Sequence, residues 1–544
     1  MARSVEIYDT TLRDGTQQEG ISLTPRDKLQ VCRLLDDLGV AYVEGGWPGA
    51  NPKDDEFFQR AQTELEMSTA TLVAFGSTRR AKLRPEDDPQ VQKLLEAGTS
   101  VVCLVGKASD YHVEHALRVS NTEAIAMVAD TVAYFKSEGR EVFFDAEHFF
   151  DGYRSDPGFS VDVLRAAHEA GASRLVLCDT NGGFLPHEVE RIVGTVTDLL
   201  PEGEYGCHFH NDSGLAVGNS IMAVNVGVSQ VQGCVNGYGE RTGNADLCSV
   251  IPNLSLKMGV ESIPSDRIGR LTTVSHHIAD VINLTLEPHK PYVGSSAFTH
   301  KAGLHTSAIA RRSDAYEHLN PNLVGNSTRM VVSELAGRST VISKASEFGL
   351  DLSASEAQTI VDTVKEYEHR GYQFEAADGS FELLTRRALG WTQDAFEVES
   401  YRVYVEHRND EVVAEATVKV HIGDERIVST REGDGPVSAM DRALRAALRD
   451  AYPEIDSIKL TDYRVRDLDS SDGTSARVRV LTSHSDGFGR WGSVGVHQDI
   501  IDASWTAVSD GLLIGLMREQ KRAVDRKSYD RRSPEARGET ERPG

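Results

Sequence analysis

The sequence predicts an α/β protein in which a (β/α)8 barrel is followed by a helical linker subdomain and a C-terminal α+β domain. Eight short apolar runs alternate with amphipathic helical segments over the first ~250 residues, a pattern typical of parallel strands joined by helical crossovers. The next segment has mainly helical spacing of its apolar residues, and alternating strands begin near Tyr401. The length of 544 residues is more than one core usually serves, so several domains are expected.

The eight apolar runs are the expected barrel strands. They begin near Val5, Ala41, Thr71, Ser100, Glu141, Arg174, Tyr205 and Gln230. Their number and the length they span match a (β/α)8 barrel, whose catalytic groups lie on the loops after the strands. An open doubly wound sheet would also alternate strands and helices. It is disfavoured because no GxGxxG follows the first strand and because polar residues follow several different strands.

The pattern divides the chain into four parts. We expect a barrel over residues 1–282, a helical linker subdomain over 283–395, an α+β domain over 396–520 and a disordered tail over 521–544. The tail is expected to be disordered because it is charged and rich in Arg, Ser, Pro and Gly.

The α+β domain contains two helical segments that can be aligned, VSAMDRAL and IDASWTAV. The alignment places Ala439 and Ala443 opposite Ala503 and Ala507, which suggests a duplicated strand–strand–helix unit. Small residues on one helix face also serve ordinary packing.

Composition excludes several classes of function. The chain has 58 Lys and Arg against 83 Asp and Glu, and its net charge of -25 repels nucleic acid and anionic lipid. None of the six cysteines forms a CxxC pair, which disfavours a disulfide framework or a zinc ribbon and favours a reducing cytoplasm. No apolar signal region or run of ~20 apolar residues is evident, so no membrane span is expected.

Two histidines at the end of the seventh strand, in CHFHND, suggest a metal site. Strand alternation places His208 and His210 on one face, and neutral imidazole is a common metal ligand. Barrel closure brings Asp14, after the first strand, close to them, and Asn244 follows the strand between. Two such histidines alone are more often structural, but the combined placement favours a divalent cation. The ligand types do not distinguish Mg, Mn, Zn and Co.

Arg13 precedes Asp14 and carries a permanent positive charge. A guanidinium can hold a carboxylate or stabilise negative charge that develops on an oxygen. The alternative is that Arg13 pairs with a neighbouring acidic side chain.

Three long motifs, DTTLRDGTQQEG, HFHND and NGYGERTGNADL, stand in an order that resembles the isopropylmalate, homocitrate and citramalate synthases. These are metal-dependent barrels that condense an acyl-CoA with a 2-oxo acid, and longer members carry a helical connection and a C-terminal regulatory α+β domain. GGWPGANPKD and FDAEHFFDGY look most like the branch that joins acetyl-CoA to pyruvate in isoleucine biosynthesis. The resemblance therefore implies an acyltransferase.

The resemblance also implies roles for individual residues. The family's metal ligands fall on Asp14, His208 and His210, with Asn244 contributing. Its substrate contacts fall on Arg13 and Thr180.

The base that removes a methyl proton from acetyl-CoA has several candidates. Glu147 ends the fifth strand, and the resemblance adds His305 and Tyr316 in a segment that reaches a partner subunit's active site. Histidine titrates near neutral pH, so we favour His305 as the base with Glu147 assisting. His300 is a competing candidate.

Other functions remain open at this point. 2-Isopropylmalate or homocitrate synthase is the main alternative, since one extra methylene changes binding by only ~1–3 kcal/mol. A different class would be an amino-acid-sensing binding protein whose barrel has lost catalysis. By analogy with the family, we expect a homodimer and a C-terminal domain that binds isoleucine as an effector.

Overall fold

The computed structural model describes residues 3–301, 308, 312–333, 336–391, 395–408, 411–468 and 476–532. The chain divides into two compact units, one of residues 1–298 with 317–328 and the other of residues 299–316 with 329–544. The four-part division remains a prediction.

The first unit is a closed barrel of eight strands in sequential order, which confirms the predicted fold class. The strands are β1 (Glu6–Asp9), β2 (Tyr42–Gly46), β3 (Thr71–Ser77), β4 (Val101–Lys107), β5 (Glu141–Glu147), β6 (Arg174–Asp179), β7 (Tyr205–Phe209) and β8 (Gln230–Gly233). Neighbouring strands are parallel, and β1 closes the barrel by pairing with β8 in a register that aligns Glu6 with Gln230. Each strand begins within one residue of its predicted start.

Helices surround the barrel strands. The main ones are α1 (Pro25–Leu38), α2 (Pro52–Glu64), α3 (Pro89–Glu96), α4 (Asn121–Ser137), α5 (Phe149–Ser155), α6 (Pro157–Glu169), α7 (Pro186–Leu199), α8 (Ala216–Asn225), α9 (Leu247–Pro252) and α10 (Leu271–Ile282). Local sequence fixes their ends. In α1, Thr24 and Asp27 form a capping box, Pro25 occupies the first turn, and Gly39 ends the helix with φ 93°.

The barrel unit has two apolar layers. The larger layer lies between strands and helices and includes Ile7, Val43 and Phe144, all fully buried. The smaller layer fills the barrel interior and includes Tyr8 and Phe143. Because these aromatic residues close the interior, a cavity can open only at an end of the barrel.

The second unit contains linker helices and two antiparallel sheets. Its elements are β9 (Thr299–His300), β10 (Arg329–Met330), α11 (Arg338–Glu347), α12 (Ala354–His369), α13 (Asp378–Ala388), β11 (Glu397–Arg408), β12 (Glu411–Ile422), β13 (Glu425–Gly433), α14 (Pro436–Leu448), β14 (Lys459–Asp467), β15 (Val478–Ser485), β16 (Arg490–His497) and α15 (Ile500–Arg532). The sheet orders are β11-β12-β13 and β14-β15-β16.

Each sheet is followed by a helix, so the repeated unit has three strands and one helix. The predicted strand–strand–helix unit was therefore one strand too short, and β13 and β16 were missed. Most side chains of β13 are exposed, so its sequence does not alternate between apolar and polar residues. In β16, glycines interrupt the apolar pattern. The four aligned alanines, Ala439, Ala443, Ala503 and Ala507, are all fully buried.

The last helix, α15, is more apolar and extends further than the sequence analysis predicted. Within the described residues, Ile500–Gln520 is long and apolar enough to cross a membrane by length and composition, where no such stretch was expected. Most of it is buried, and α15 packs on β15 and β16, as a core helix does. The helix also continues to Arg532, where a tail from Lys521 was predicted to be disordered.

One buried histidine in the second unit has an unusual environment. The side chain of His484 on β15 is fully buried, with its ring 6.2 Å from that of Trp491. Neither ring nitrogen has a hydrogen-bond partner among the described residues. Burial, and then the charge of Arg445, lower the pKa of His484 to about 4.

We expect His484 to make the second unit acid-sensitive. Between pH ~4 and ~6.5 the unfolded chain binds a proton here that the folded chain excludes, so the free energy of unfolding falls as pH decreases through this window, by roughly 3 kcal/mol in total. Above the window the effect is absent. Denaturant unfolding of the full chain, followed by tryptophan fluorescence above and inside the window, measures it. His484→Leu should flatten the pH dependence, and an unchanged slope in that variant would contradict the assignment.

Candidate active site

A cavity of about 630 Å³ opens at the carboxyl ends of the barrel strands. Six of the residues predicted for the site line it, namely Arg13, Asp14, Glu147, Thr180, His208 and His210. Parallel strands all present their carboxyl ends at one face of a barrel, which explains why residues distant in sequence meet here.

Three candidate metal ligands converge in this cavity. The Oδ2 atom of Asp14 lies 3.2 Å from Nε2 of His208 and 3.6 Å from Nε2 of His210, and the two Nε2 atoms are 3.4 Å apart. All three side chains are buried, and their donor atoms lie within 4.8 Å of one another. One nitrogen–oxygen set of this kind suits a single divalent cation.

The electrostatics of the cluster favour a cation. Burial would raise the pKa of Asp14, but the charge of Arg13 and contacts with His208 outweigh it and hold the pKa well below its usual range. Burial and then the charge of His208 lower the pKa of His210 to about 4, so the His210 imidazole is neutral at neutral pH. Burial opposes protonation of His208, but its bond to Asp14 raises the pKa. A bound cation would replace that proton.

Asn244 provides an independent test of the cation site. Its Nδ2 donates to the carbonyl of Tyr238 at 3.1 Å, whereas its Oδ1 is buried and has no hydrogen-bond partner among the described residues. A short bridge pairs Asn244 with His210, beside the cluster. An unpartnered buried oxygen is costly unless a ligand satisfies it, so Asn244 fits a fourth, oxygen position.

The loop before Asn244 depends on glycine. Gly243 has φ 85°, and a Cβ there would lie 1.9 Å from the carbonyl oxygen of Gly237. Only glycine permits this close approach, which turns the chain back so that Asn244 pairs with His210. The glycine-rich segment after β8 is therefore a tight loop.

Arg13 lies beside the cluster and is held from two sides. Its Nε donates to the carboxylate of Glu44, which is fully buried on β2, and its guanidinium lies 3.8 Å over the ring of Phe75. Its Nη1 is 3.6 Å from Asp14. The predicted alternative, a pairing with a neighbouring acid, is thus present, and the guanidinium also reaches the cavity.

Thr180 and Glu147 lie on the cavity wall. The hydroxyl oxygen of Thr180 accepts from the backbone N–H of His148 at 2.9 Å, which leaves its own proton available for a ligand. Glu147 forms an ion pair with Lys107 of β4. The Lys107 ammonium thus engages one carboxylate oxygen of Glu147.

The remaining base candidates are not placed at the cavity by the structure. His305 lies outside the described residues. Tyr316 is 49% exposed and, like His300, belongs to the second unit. Their predicted roles remain predictions.

Sequence reasoning missed three buried groups that support the site. These are Glu44, which holds Arg13, and Asp145 and Gln232, which interact with each other behind His208. A signal was visible for the two acids, since each interrupts an otherwise apolar strand. This signal did not identify the hydrogen-bond partners of the two acids, because those partners lie elsewhere in the sequence.

Arg241 is a further missed cavity residue. It forms an ion pair with Asp212 at 2.8 Å and donates to the carbonyl of Thr180 at 2.9 Å. It therefore fixes the backbone that carries the Thr180 hydroxyl.

Comparison with known families agrees with this architecture. Residues 4–274 match the HMGL-like family, 292–371 match the homocitrate synthase post-HMGL domain-like family, and 375–513 match the LeuA allosteric (dimerisation) domain. Fold and site together define an HMGL-like barrel with a candidate divalent-cation centre and a LeuA-type C-terminal domain.

Curated relatives narrow the class further. An (R)-citramalate synthase of Aquifex aeolicus is 47% identical over 96% of this chain and 100% of its own length. The (R)-citramalate synthase of Streptomyces coelicolor is 52% identical over 95% and 97%. A probable 2-isopropylmalate synthase of Methanopyrus kandleri is 30% identical over 94% and 98%. The chain belongs to the (R)-citramalate synthase family, which confirms the resemblance seen in its motifs.

Proposed function

We propose that this chain condenses acetyl-CoA with pyruvate and water to (R)-citramalate and free CoA. The observation that carries the proposal is the convergence of Asp14, His208 and His210 on a cavity that also presents Arg13 and Thr180. Identities of 47% and 52% to (R)-citramalate synthases support pyruvate as the 2-oxo acid.

The cation centre is proposed to consist of Asp14, His208, His210 and the Oδ1 atom of Asn244. A divalent cation there would act as a Lewis acid that polarises the ketone of the oxo acid. The residues themselves supply one negative charge and otherwise neutral ligands, so the occupied site keeps a net positive charge toward the substrate. Mg, Mn, Zn and Co all remain compatible with this ligand set.

The carboxylate of the oxo acid is proposed to bind between Arg13 and Thr180. The Nη atoms of Arg13 can donate to it, since the Nε atom is already engaged by Glu44. The Thr180 hydroxyl can donate because its oxygen already accepts from His148. This placement would orient the ketone toward the proposed ligands.

Proton removal from the methyl group of acetyl-CoA is proposed to involve His305, with Glu147 assisting and Tyr316 nearby. The ion pair with Lys107 engages one carboxylate oxygen of Glu147, which argues against Glu147 as the sole base. If His305 comes from a partner subunit, a monomer would lack the base.

The proposal is tested by the release of free thiol from acetyl-CoA. Pyruvate should support the fastest release. For 2-oxoisovalerate and 2-oxoglutarate, kcat/KM should be roughly 10–200-fold lower for each additional group that the pocket does not accommodate. A chelator should abolish release, and added divalent cation should restore it. Faster release with 2-oxoisovalerate would instead support a 2-isopropylmalate synthase.

The C-terminal region is proposed to form a homodimer and to bind isoleucine. The match of residues 375–513 to the LeuA allosteric (dimerisation) domain supports a dimer and an allosteric effector, and isoleucine is the effector that the family resemblance implies. Isoleucine should slow thiol release in the full chain, whereas valine at equal concentration should not. Equal effects of the two amino acids would reject isoleucine as the specific effector.

A further inference from the structure

A buried glutamine connects a proposed metal ligand to the centre of the barrel. Gln232, on β8, has its Oε1 3.0 Å from Nδ1 of His208 and donates through Nε2 to Oδ1 of Asp145 at 2.9 Å. Gln232 and Asp145 come from β8 and β5, which lie across the barrel interior. All three side chains are less than 5% exposed.

The polarity of this chain of hydrogen bonds is fixed at one end. In the structure, Oδ1 of Asp145 accepts from Nε2 of Gln232, and the Gln232 carbonyl oxygen is thereby turned toward His208. That carbonyl can only accept. His208 therefore carries a proton on Nδ1, which leaves Nε2 as the nitrogen available to a cation beside Asp14 and His210.

The second histidine lacks such support. The Nδ1 of His210 is buried and has no hydrogen-bond partner among the described residues. The orientation of the histidine pair thus depends on the single bond made by His208. Metal-binding histidines commonly donate a hydrogen bond from the N–H of their second ring nitrogen, and loss of the acceptor weakens metal binding.

We propose that Gln232 is a positioning residue that holds His208 in its metal-binding tautomer, with Asp145 setting the orientation of the Gln232 amide. The inference rests on the proposed metal site and deepens it. Gln232 touches neither substrate nor cation, and acts only through His208.

The test measures divalent-cation affinity directly, without activity. The full-length protein is stripped with a chelator and titrated with Mn²⁺ by calorimetry. Gln232→Leu should weaken Mn²⁺ binding by about 10–100-fold, because His208 loses its acceptor. Gln230→Leu is the matched control, since Gln230 is equally buried on the same strand and face but is bonded to Glu6 instead. That variant should bind Mn²⁺ like the wild type.

A double variant separates positioning from general structural damage. Gln232→Glu alone places two carboxylates next to each other. When it is combined with Asp145→Asn, the carboxylate at position 232 can accept from Nδ1 of His208, and the amide at position 145 can donate to that carboxylate. The double variant should recover Mn²⁺ affinity to within about threefold of the wild type. With Co²⁺, its visible absorption spectrum should also match that of the wild type.

The outcomes distinguish this inference from the proposed function. Mn²⁺ binding by wild type that is unchanged in Gln232→Leu would overturn the positioning role alone. Equal losses in Gln230→Leu and Gln232→Leu, or no recovery in the double variant, would also overturn it. Mn²⁺ binding that is absent in wild type, or insensitive to Asp14→Ala, would overturn the proposed metal site itself.

Discussion

His210→Ala is expected to abolish chelator-sensitive thiol release, with kcat reduced by roughly 10³-fold or more. The Nε2 of His210 lies 3.4 Å from that of His208 and 3.6 Å from Asp14 Oδ2, so its removal takes away one of three converging donors. Because the His210 imidazole is neutral at neutral pH, the expected loss comes from weaker cation binding rather than from a lost protein charge. Steady-state rates at saturating pyruvate and Mn²⁺ measure the loss.

The control for this variant is His276→Ala. His276 is a half-buried histidine of the same unit, bonded to the carbonyl of Val293 at 2.9 Å, and it does not line the cavity. Both variants should keep the wild-type circular dichroism spectrum. Full activity in His210→Ala would refute the ligand assignment, and an equal loss in His276→Ala would point to folding instead.

Arg13→Ala is expected to cost both stability and activity. It leaves the carboxylate of Glu44, fully buried, with only the hydroxyl of Tyr8 at 2.6 Å. Breaking a buried pair in this way typically costs about 3–5 kcal/mol, part of which Glu44 recovers by taking up a proton. Burial already raises the pKa of Glu44, against the opposing charge of Arg13. Denaturant unfolding measures the loss of stability.

A double variant decides between the two roles of Arg13. Arg13→Ala combined with Glu44→Gln removes the unpaired charge and should restore most of the stability. Activity should stay at least about 10²-fold low, because the proposed carboxylate contact is still missing. Recovery of activity together with stability would show that Arg13 serves only as the partner of Glu44.

The barrel and the convergence of its candidate ligands were predictable because local rules determine them. Strand periodicity and flanking turns located all eight strands, and alternation alone put His208 and His210 on one face. Ring closure then brought Asp14 near them. Each step needs only the order of the strands and the direction of successive side chains.

The support behind the ligands was not predictable from one sequence. The hydrogen bond between Gln232 and Asp145 depends on the register of β8 and β5, which are not neighbours in the closed barrel, and no local pattern encodes that register. The same holds for Glu44 under Arg13. In the second unit, β13 and β16 were missed because exposure and glycine weaken the alternation that marks a strand.

The identity of the product tests the proposed condensation of acetyl-CoA with pyruvate most directly. The full-length protein with Mn²⁺, acetyl-CoA and pyruvate labelled with ¹³C at its ketone carbon is followed by NMR, together with chiral chromatography and thiol release. Condensation should move the label into the tertiary alcohol carbon of (R)-citramalate at the rate at which thiol appears. Thiol release with unchanged pyruvate would instead show simple thioester hydrolysis and refute the proposed condensation.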